Sequence, residues 1–450
     1  MIENKNSKII SFITLGCKVN QYETNAMAQK FKEKGYKVIE GEAKADIYVI
    51  NTCTVTNMSD RKSRQMLRRM KDINKNAIIV ACGCYVQVSK EEVEQMEEID
   101  LVLGNNEKKN IVEYVEKYIE ENKKEENMED VMQQKEFVDF GDVTYTEKTR
   151  AVIKVQDGCD RFCSYCIIPY ARGRVRSRHP EHIIKEIKNI AKEGIKEVVI
   201  TGIHIASYGK DFKDEYRLID LLEEINKIDE IERIRLGSIE PLLITDEFVQ
   251  RLKKLDKICE HFHLSLQSGC DETLKRMNRH YTAEEYFTIV QNLRKHFKNA
   301  SITTDVMVGF AGETEEEFEK SLNFVKKVEF SKVHVFAYSV RSGTRAAEFE
   351  NQVEPNKKKR RSQIMIDEAA ESRIKFLNSQ VGKIEPVLYE RRDKNGFFEG
   401  YTSNYTPVKI NVNEKLDLHS KIIFVPKIYS PPQIFTVSFC LGAGVKWRFS

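Results

Sequence analysis

Residues 158–178 read GCDRFCSYCIIPYARGRVRSR, and the spacing of the cysteines in this stretch decides how the rest of the chain is read. Cys159, Cys163 and Cys166 form a C-x3-C-x2-C group. Three thiolates on one tight loop can hold three irons of a [4Fe–4S] cube and leave the fourth iron without a protein ligand. An open iron lets a cluster bind and reduce a small molecule, whereas four thiolates suit electron transfer alone. Zinc fits less well, because a structural zinc site closes with four ligands and this loop offers three.

Outward from the loop, residues 150–340 repeat strand and helix six times, with strands read at 151–156, 197–201, 233–238, 263–267, 301–308 and 332–338. Six βα units predict a barrel or partial barrel whose chemistry sits at the carboxyl ends of the strands. Cys159 lies just past the first of them. Upstream, residues 9–118 alternate strands at 9–15, 47–51 and 77–81 with amphipathic helices at 20–34, 58–73 and 108–119. That alternation predicts a parallel sheet flanked by helices. Each of the three strands ends at a cysteine: Cys17, Cys53, and Cys82 or Cys84. Ligands gather beyond the carboxyl ends of strands in open α/β sheets, so cysteines far apart in sequence can meet at one edge.

The fold class is therefore α/β, with an N-terminal parallel-sheet α/β domain at 8–122, a charged and solvated linker at 123–144 and a six-strand partial barrel at 145–376. A long helix at 355–380 leads into a small C-terminal β-domain at 380–440. Its end is expected to be incomplete or altered after Leu418. Residues 418–450 hold no Asp or Glu, and adjacent Pro431 and Pro432 would interrupt a central strand.

A chain of 450 residues is too long for one ordinary core. Its net charge of only +3 leaves nucleic-acid binding to local patches. Three such patches stand out: Arg61, Lys62, Arg64, Arg68, Arg69 and Lys71 on one helix; five arginines and no acid across 161–179; and KKKRR at 357–361. No apolar run reaches the ~18 residues of a membrane span. The polar start, residues 1–8, lacks a signal-peptide core, so a cytoplasmic protein is expected. A reducing compartment makes structural disulfides unexpected, and the isolated Cys259 and Cys270 read as ordinary core residues.

The loop at 158–178 resembles the radical S-adenosylmethionine (SAM) methylthiotransferases. The resemblance implies that the cluster on Cys159, Cys163 and Cys166 binds SAM through its open iron and cleaves it to a 5′-deoxyadenosyl radical. It also implies a second [4Fe–4S] cluster on the stretches TLGCKVNQYET, INTCTVT and CGCYVQ, held by Cys17, Cys53 and Cys84. Cys84 takes the Gly-Cys-Tyr position, and Cys82 stands where the family needs no cysteine. Barrel residues that the resemblance turns toward SAM are Tyr165, Gly202 in TGIHIASYG, Ser238 and Glu240 in RLGSIEP, Gln267 in HLSLQSG and Asp305 in TTDVMVGFAGET. Ala311 and Arg345 stand where the family commonly has proline, which implies altered loop rigidity.

The segment from Glu385 resembles the start of a TRAM domain, a small β-module that binds tRNA in related enzymes. Its Tyr389, Phe397, Phe398, Tyr401 and Tyr405 are core or base-stacking residues. The resemblance implies a tRNA substrate, an electron donor such as a flavodoxin or ferredoxin, a sulfur donor and no membrane. LGCKVNQYET, CIIPYARGR and TGIHIASYG most resemble the branch that acts on threonylcarbamoyladenosine beside the anticodon. The alternatives are the branches acting on isopentenyladenosine in tRNA or on a ribosomal-protein aspartate, and, from another class, a non-catalytic Fe–S protein that binds tRNA.

Overall fold

The computed structural model describes residues 8–144, 149–411, 417–426 and 435–438, with backbone alone for Glu125, Glu126, Pro426 and 435–438. The N-terminal sheet contains β1 (Ile9–Thr14), β2 (Lys37–Glu40), β3 (Ile47–Thr52), β4 (Ile78–Gly83), β5 (Leu101–Leu103) and β6 (Glu125–Asn127). Their order is β2-β1-β3-β4-β5-β6, and every pairing is parallel. The central strands IYVINT and IIVACG are buried almost throughout, which is why they lack polar alternation. Helices Lys18–Glu33 and Asn57–Ile73 follow β1 and β3. The second starts where the Thr56 hydroxyl accepts the Ser59 amide at 3.1 Å.

The central region holds β7 (Arg150–Asp157), β8 (Arg176–Ser177), β9 (Glu197–Gly202), β10 (Arg233–Leu236), β11 (Ser238–Ile239), β12 (His261–Leu264), β13 (Ser301–Val308) and β14 (Lys332–Ala337). They form two sheets, β10-β9-β7-β8 and β11-β12-β13-β14. The strand read at 233–238 is divided between them at Gly237. The Gly237 amide donates to the Ile200 carbonyl at 2.8 Å. A Cβ at Gly237 would lie 2.9 Å from that oxygen. Counting β10 and β11 as one broken strand, six parallel strands make an open barrel, and β8 is an antiparallel addition to β7. Helix Lys18–Glu33 packs on β7 and β9, where Glu23 meets Lys154 of β7 at 2.7 Å.

The stretch at 123–144 is not simply a solvated linker. β6 adds to the N-terminal sheet, and Val131, Val138, Phe140 and Val143 are buried. The few apolar residues of this charged segment are spaced so that each reaches a neighbouring surface, a pattern that average composition hides.

Helix Pro355–Gln380 leads to β15 (Ile384–Arg392), β16 (Phe397–Thr402), β17 (Pro407–Asn411), β18 (Ile422–Pro426) and β19 (Phe435–Ser438), in the order β18-β15-β16-β17-β19. The sheet continues past Leu418 in β18 and β19, while residues 427–434 and 439–450 lie outside the described residues. Ile423 and Val425 alternate inward along β18 and pair it with β15, the burial that its apolar run makes favourable. Pro431 and Pro432 lie outside the described residues. The β-module docks on the barrel through Arg233 and Arg235, which donate to the carbonyls of Tyr401 and Ser403 at 3.0 Å each.

Candidate active site

The loop after β7 is shaped by backbone geometry before any ligand is considered. Gly158 has φ +71, and a Cβ there would lie 1.8 Å from the Arg174 carbonyl, so only glycine fits. The Cys159 amide donates to the Gly173 carbonyl at 3.0 Å and the Cys166 amide to the Cys163 carbonyl at 2.9 Å. Ser164 is pinned from two directions, its hydroxyl to the Arg276 carbonyl at 2.7 Å and its amide to Met277 at 3.0 Å. Asn278 donates to the Phe162 carbonyl at 3.1 Å. The three thiols are thus held on one rigid loop at the carboxyl end of β7.

Burial pushes the Cys159 thiol up to about 11 and the Cys166 thiol up to about 12. Without a bound cation these groups stay protonated at neutral pH, and cluster assembly must displace the protons. Arg279 faces this loop. It donates to the Cys163 sulfur at 3.5 Å, to the Glu240 carboxylate at 3.1 Å and to the Tyr281 hydroxyl at 3.0 Å. His204 approaches the same carboxylate at 3.3 Å. Burial alone would raise Glu240, but His204 and Arg279 outweigh it and hold its carboxyl down.

The second triad forms at the carboxyl edge of the N-terminal sheet. Cys17, Cys53 and Cys84 follow β1, β3 and β4, which are adjacent strands. A Cβ at Gly16 would lie 2.6 Å from the Cys53 sulfur, so the glycine lets the first loop close on the second. Arg172, from the barrel loop, donates Nε–H to the Cys84 sulfur at 3.1 Å. Cys82 is fully buried, sits in the sheet's hydrophobic core and contacts the Ile50 carbonyl at 3.7 Å. Gly83, at φ +102, turns the chain between the two, so that Cys82 lies within β4 and Cys84 begins the following helix. Among the described residues no three His, Cys, Asp or Glu converge as ligands of a single ion. Three thiols per set suit three corners of a [4Fe–4S] cube, whereas a closed zinc site takes four ligands.

Residues 153–325 match the model of the radical SAM superfamily, and residues 9–104 match that of the uncharacterized protein family UPF0004. The threonylcarbamoyladenosine tRNA methylthiotransferase MtaB of Bacillus subtilis is 42% identical over 421 residues, covering 92% of this chain and 93% of that protein. The chain belongs to the radical-SAM methylthiotransferase family. The MtaB of Thermotoga maritima is 37% identical and covers 92% of this chain and 94% of its own length. The tRNA-2-methylthio-N(6)-dimethylallyladenosine synthase of Caldicellulosiruptor saccharolyticus is 36% identical over 92% of this chain and 89% of its own. Among solved structures, the radical SAM methyltransferase TsrM of Kitasatospora setae has a TM-score of 0.54 at 15% identity and covers 73% of each chain, a likeness of fold alone.

As a radical-SAM methylthiotransferase the protein is an enzyme that uses SAM and a [4Fe–4S] cluster. The residues expected to face SAM are distributed unevenly. Tyr165 lies on the cysteine loop, edge-on to Phe310 at 6.4 Å, and Glu240 joins that loop through Arg279. Ser238 and Asp305 bond to β12 and its end: Ser238 to the Ser265 hydroxyl at 2.8 Å and Asp305 to His263 at 3.2 Å. Gln267 adopts φ +70, with its amide on the Asp305 carbonyl at 2.9 Å. Gly202 has a reason closer than SAM, because a Cβ there would meet the Gln156 carbonyl at 2.9 Å. Arg279 and His204 were missing from the sequence reading, and Arg172 entered it only as one arginine of a basic patch. Arg279 is 116 residues from Cys163, with no spacing signal to link them.

The basic patches are largely absorbed. Arg64, Arg68 and Arg69 pair with Glu92, Glu98 and Glu42 at 3.2, 3.4 and 2.5 Å. Arg172, Arg176 and Arg178 are buried. Arg361 is also buried, and it pairs with Glu313 at 2.8 Å. Arg61 and Lys62 are exposed and make no ion pair with a described residue. The aromatics of the β-module are likewise committed. Tyr389 and Phe398 are core. Tyr405 stacks on Tyr401 at 4.7 Å, with Arg235 4.5 Å from its ring. No described helix is long and apolar enough to cross a membrane.

Proposed function

We propose that this enzyme adds a methylthio group to C2 of N6-threonylcarbamoyladenosine beside the anticodon of tRNA. The observation that carries the reading is the two sets of three cysteines at strand ends, with Arg172 from the segment that follows the second set donating to the Cys84 sulfur of the first. The threonylcarbamoyladenosine substrate is supported by the MtaB relatives of Bacillus subtilis and Aquifex aeolicus, each at 42% identity, against 37% and 36% for relatives named as dimethylallyladenosine synthases.

Cys159, Cys163 and Cys166 would hold the SAM-binding cluster, and Cys17, Cys53 and Cys84 a second, auxiliary one. When bound, the first supplies the electron that cleaves SAM, and the second supplies the sulfur position. The chain's own residues do the rest. Arg279 fixes the Cys163 loop against Glu240, and His204 and Arg279 keep that carboxylate charged, ready for a cationic amino group. Tyr165, Gly202, Ser238, Gln267 and Asp305 line the path from the loop into the barrel as the remaining SAM-facing groups. An electron donor such as a flavodoxin or ferredoxin and a sulfur donor complete the cycle, in the cytoplasm where tRNA is processed.

The test is anaerobic incubation of reconstituted protein with SAM, dithionite and tRNA carrying threonylcarbamoyladenosine, followed by nucleoside mass spectrometry. The reading predicts the 2-methylthio nucleoside together with 5′-deoxyadenosine. Turnover of isopentenyladenosine tRNA alone would move the enzyme to the other branch.

A further inference from the structure

Arg172 lies between the two triads with no side-chain exposure. Besides its Nε–H bond to Cys84, it pairs with Glu23 through Nη1 and donates Nη2–H to the Asn20 side-chain oxygen at 2.6 Å. Glu23 is also held by Lys108 and Lys154, each at 2.7 Å. Lys154 continues to Asp157 at 2.5 Å, and Asp157 accepts the Gly158 amide at 2.8 Å, one residue before Cys159. One connected polar network therefore runs from a thiol of the N-terminal triad to the loop bearing the other.

The charges in this network do not balance. Lys108, Lys154, Arg172 and Arg176 are each at most 1% exposed, while the carboxylates among them are Glu23 and Asp157, at 1% and 5%. Four buried cations against two buried carboxylates leave the buried part of the network net positive, with the exposed Asp211 acting on Arg176 from outside. Arg176 adds to the imbalance: its Nη2 is spent on the Arg172 carbonyl at 2.6 Å, and its buried Nε has no partner. Uncompensated buried charge is costly. An iron–sulfur cube on three thiolates is an anion, because the thiolates outweigh the charge of the oxidised core, and Cys84 is where the network points its one N–H donor to sulfur. Arg172 was counted in the sequence as a phosphate-facing arginine, but its complete burial removes it from any RNA surface.

We infer that Arg172 is a positioning residue for the N-terminal cluster, and that its N–H bond to the Cys84 sulfur, within a cationic surround, raises that cluster's reduction potential. Adding one electron makes the cluster more negative, so a buried cation and a donor on its sulfur favour the reduced form. The inference rests on the two-cluster reading above.

The experiment uses the full chain with Cys159, Cys163 and Cys166 replaced by alanine, reconstituted anaerobically so that the N-terminal cluster alone remains. Iron content and the midpoint potential are compared for Arg172, Arg172→Lys and Arg172→Gln. The expected result is retained iron and a midpoint shifted to more negative values, further in Arg172→Gln, which loses the charge, than in Arg172→Lys. Retained iron with an unchanged midpoint would overturn the inference while leaving two clusters standing. Absence of iron from the protein that keeps Arg172 would overturn the two-cluster reading, and the inference with it. Should either substitution prevent folding, the Arg172 protein carrying 15N-guanidino arginine decides. The reduced cluster is expected to show a hyperfine-coupled 15N, and its absence would overturn the inference.

Discussion

Arg279 and Cys163 meet at 3.5 Å, guanidinium to sulfur, and the same guanidinium reaches Glu240 at 3.1 Å. One side chain thereby ties the cysteine loop after β7 to the end of the third strand, across the mouth of the barrel. Replacing Arg279 with Gln is expected to leave the iron content intact and to lower SAM cleavage by roughly 10–100-fold, the usual cost of losing a group that orients a cluster ligand. Release of 5′-deoxyadenosine, measured beside total iron, checks this. Unchanged release would reduce Arg279 to a structural contact.

Cys82 and Cys84 are predicted to behave as opposites. Cys82→Ala removes a small buried group from a packed core, so the protein should lose about 1 kcal/mol of stability and keep its full iron. Cys84→Ala should lose about half of the reconstituted iron. Iron analysis with thermal unfolding separates the two, and loss of iron in Cys82→Ala would reverse the assignment.

Tyr405 holds the β-module to the barrel. It has φ +63, stacks on Tyr401 and lies near both Arg235 and Arg150, the latter 5.4 Å from its ring. Desolvated cation–π contacts contribute about 1–2 kcal/mol each. Tyr405→Ala should therefore let the module undock, seen as faster proteolytic cleavage near residue 380, while SAM cleavage continues. Undiminished protease resistance would show that Arg233 and Arg235 suffice through their backbone contacts.

RNA affinity should depend on Arg61 and Lys62 more than on Arg69. Arg69 already has Glu42 at 2.5 Å, whereas Arg61 and Lys62 are exposed without a described ionic partner. Each phosphate contact contributes about one unit to the slope of log K against log salt. The double change Arg61→Gln and Lys62→Gln should flatten the slope by up to about two, and Arg69→Gln should barely alter it. Equal effects would mean that tRNA breaks the Arg69–Glu42 pair.

The sequence was most legible where chemistry and topology coincide. Cys17, Cys53 and one of Cys82 and Cys84 could be placed together because each follows a buried apolar strand, and parallel strands bring their carboxyl ends to one edge; the choice of Cys84 came from the family resemblance. Cys159 could be placed because it follows the first barrel strand. β2, β5 and β6 were missed because runs of three or four residues carry too little periodicity. The break at Gly237 was invisible, since a strand that switches sheets keeps its apolar pattern through the bend. The arginines misled most. Charge in sequence suggests phosphate, yet Arg172, Arg176 and Arg178 spend theirs in the interior, on carboxylates, carbonyls and a sulfur. Their partners Glu23 and Glu186 are far away in the chain or on another element, and only folding reveals them.

The central claim concerns which nucleoside is modified. The most direct measurement is mass spectrometry of nucleosides from the tRNA of cells with and without this gene. The account predicts that 2-methylthio-N6-threonylcarbamoyladenosine disappears with the gene, that unmethylthiolated N6-threonylcarbamoyladenosine accumulates in its place, and that 2-methylthio derivatives of isopentenyladenosine are unchanged. Loss of the isopentenyl derivative with the threonylcarbamoyl derivative intact would contradict it.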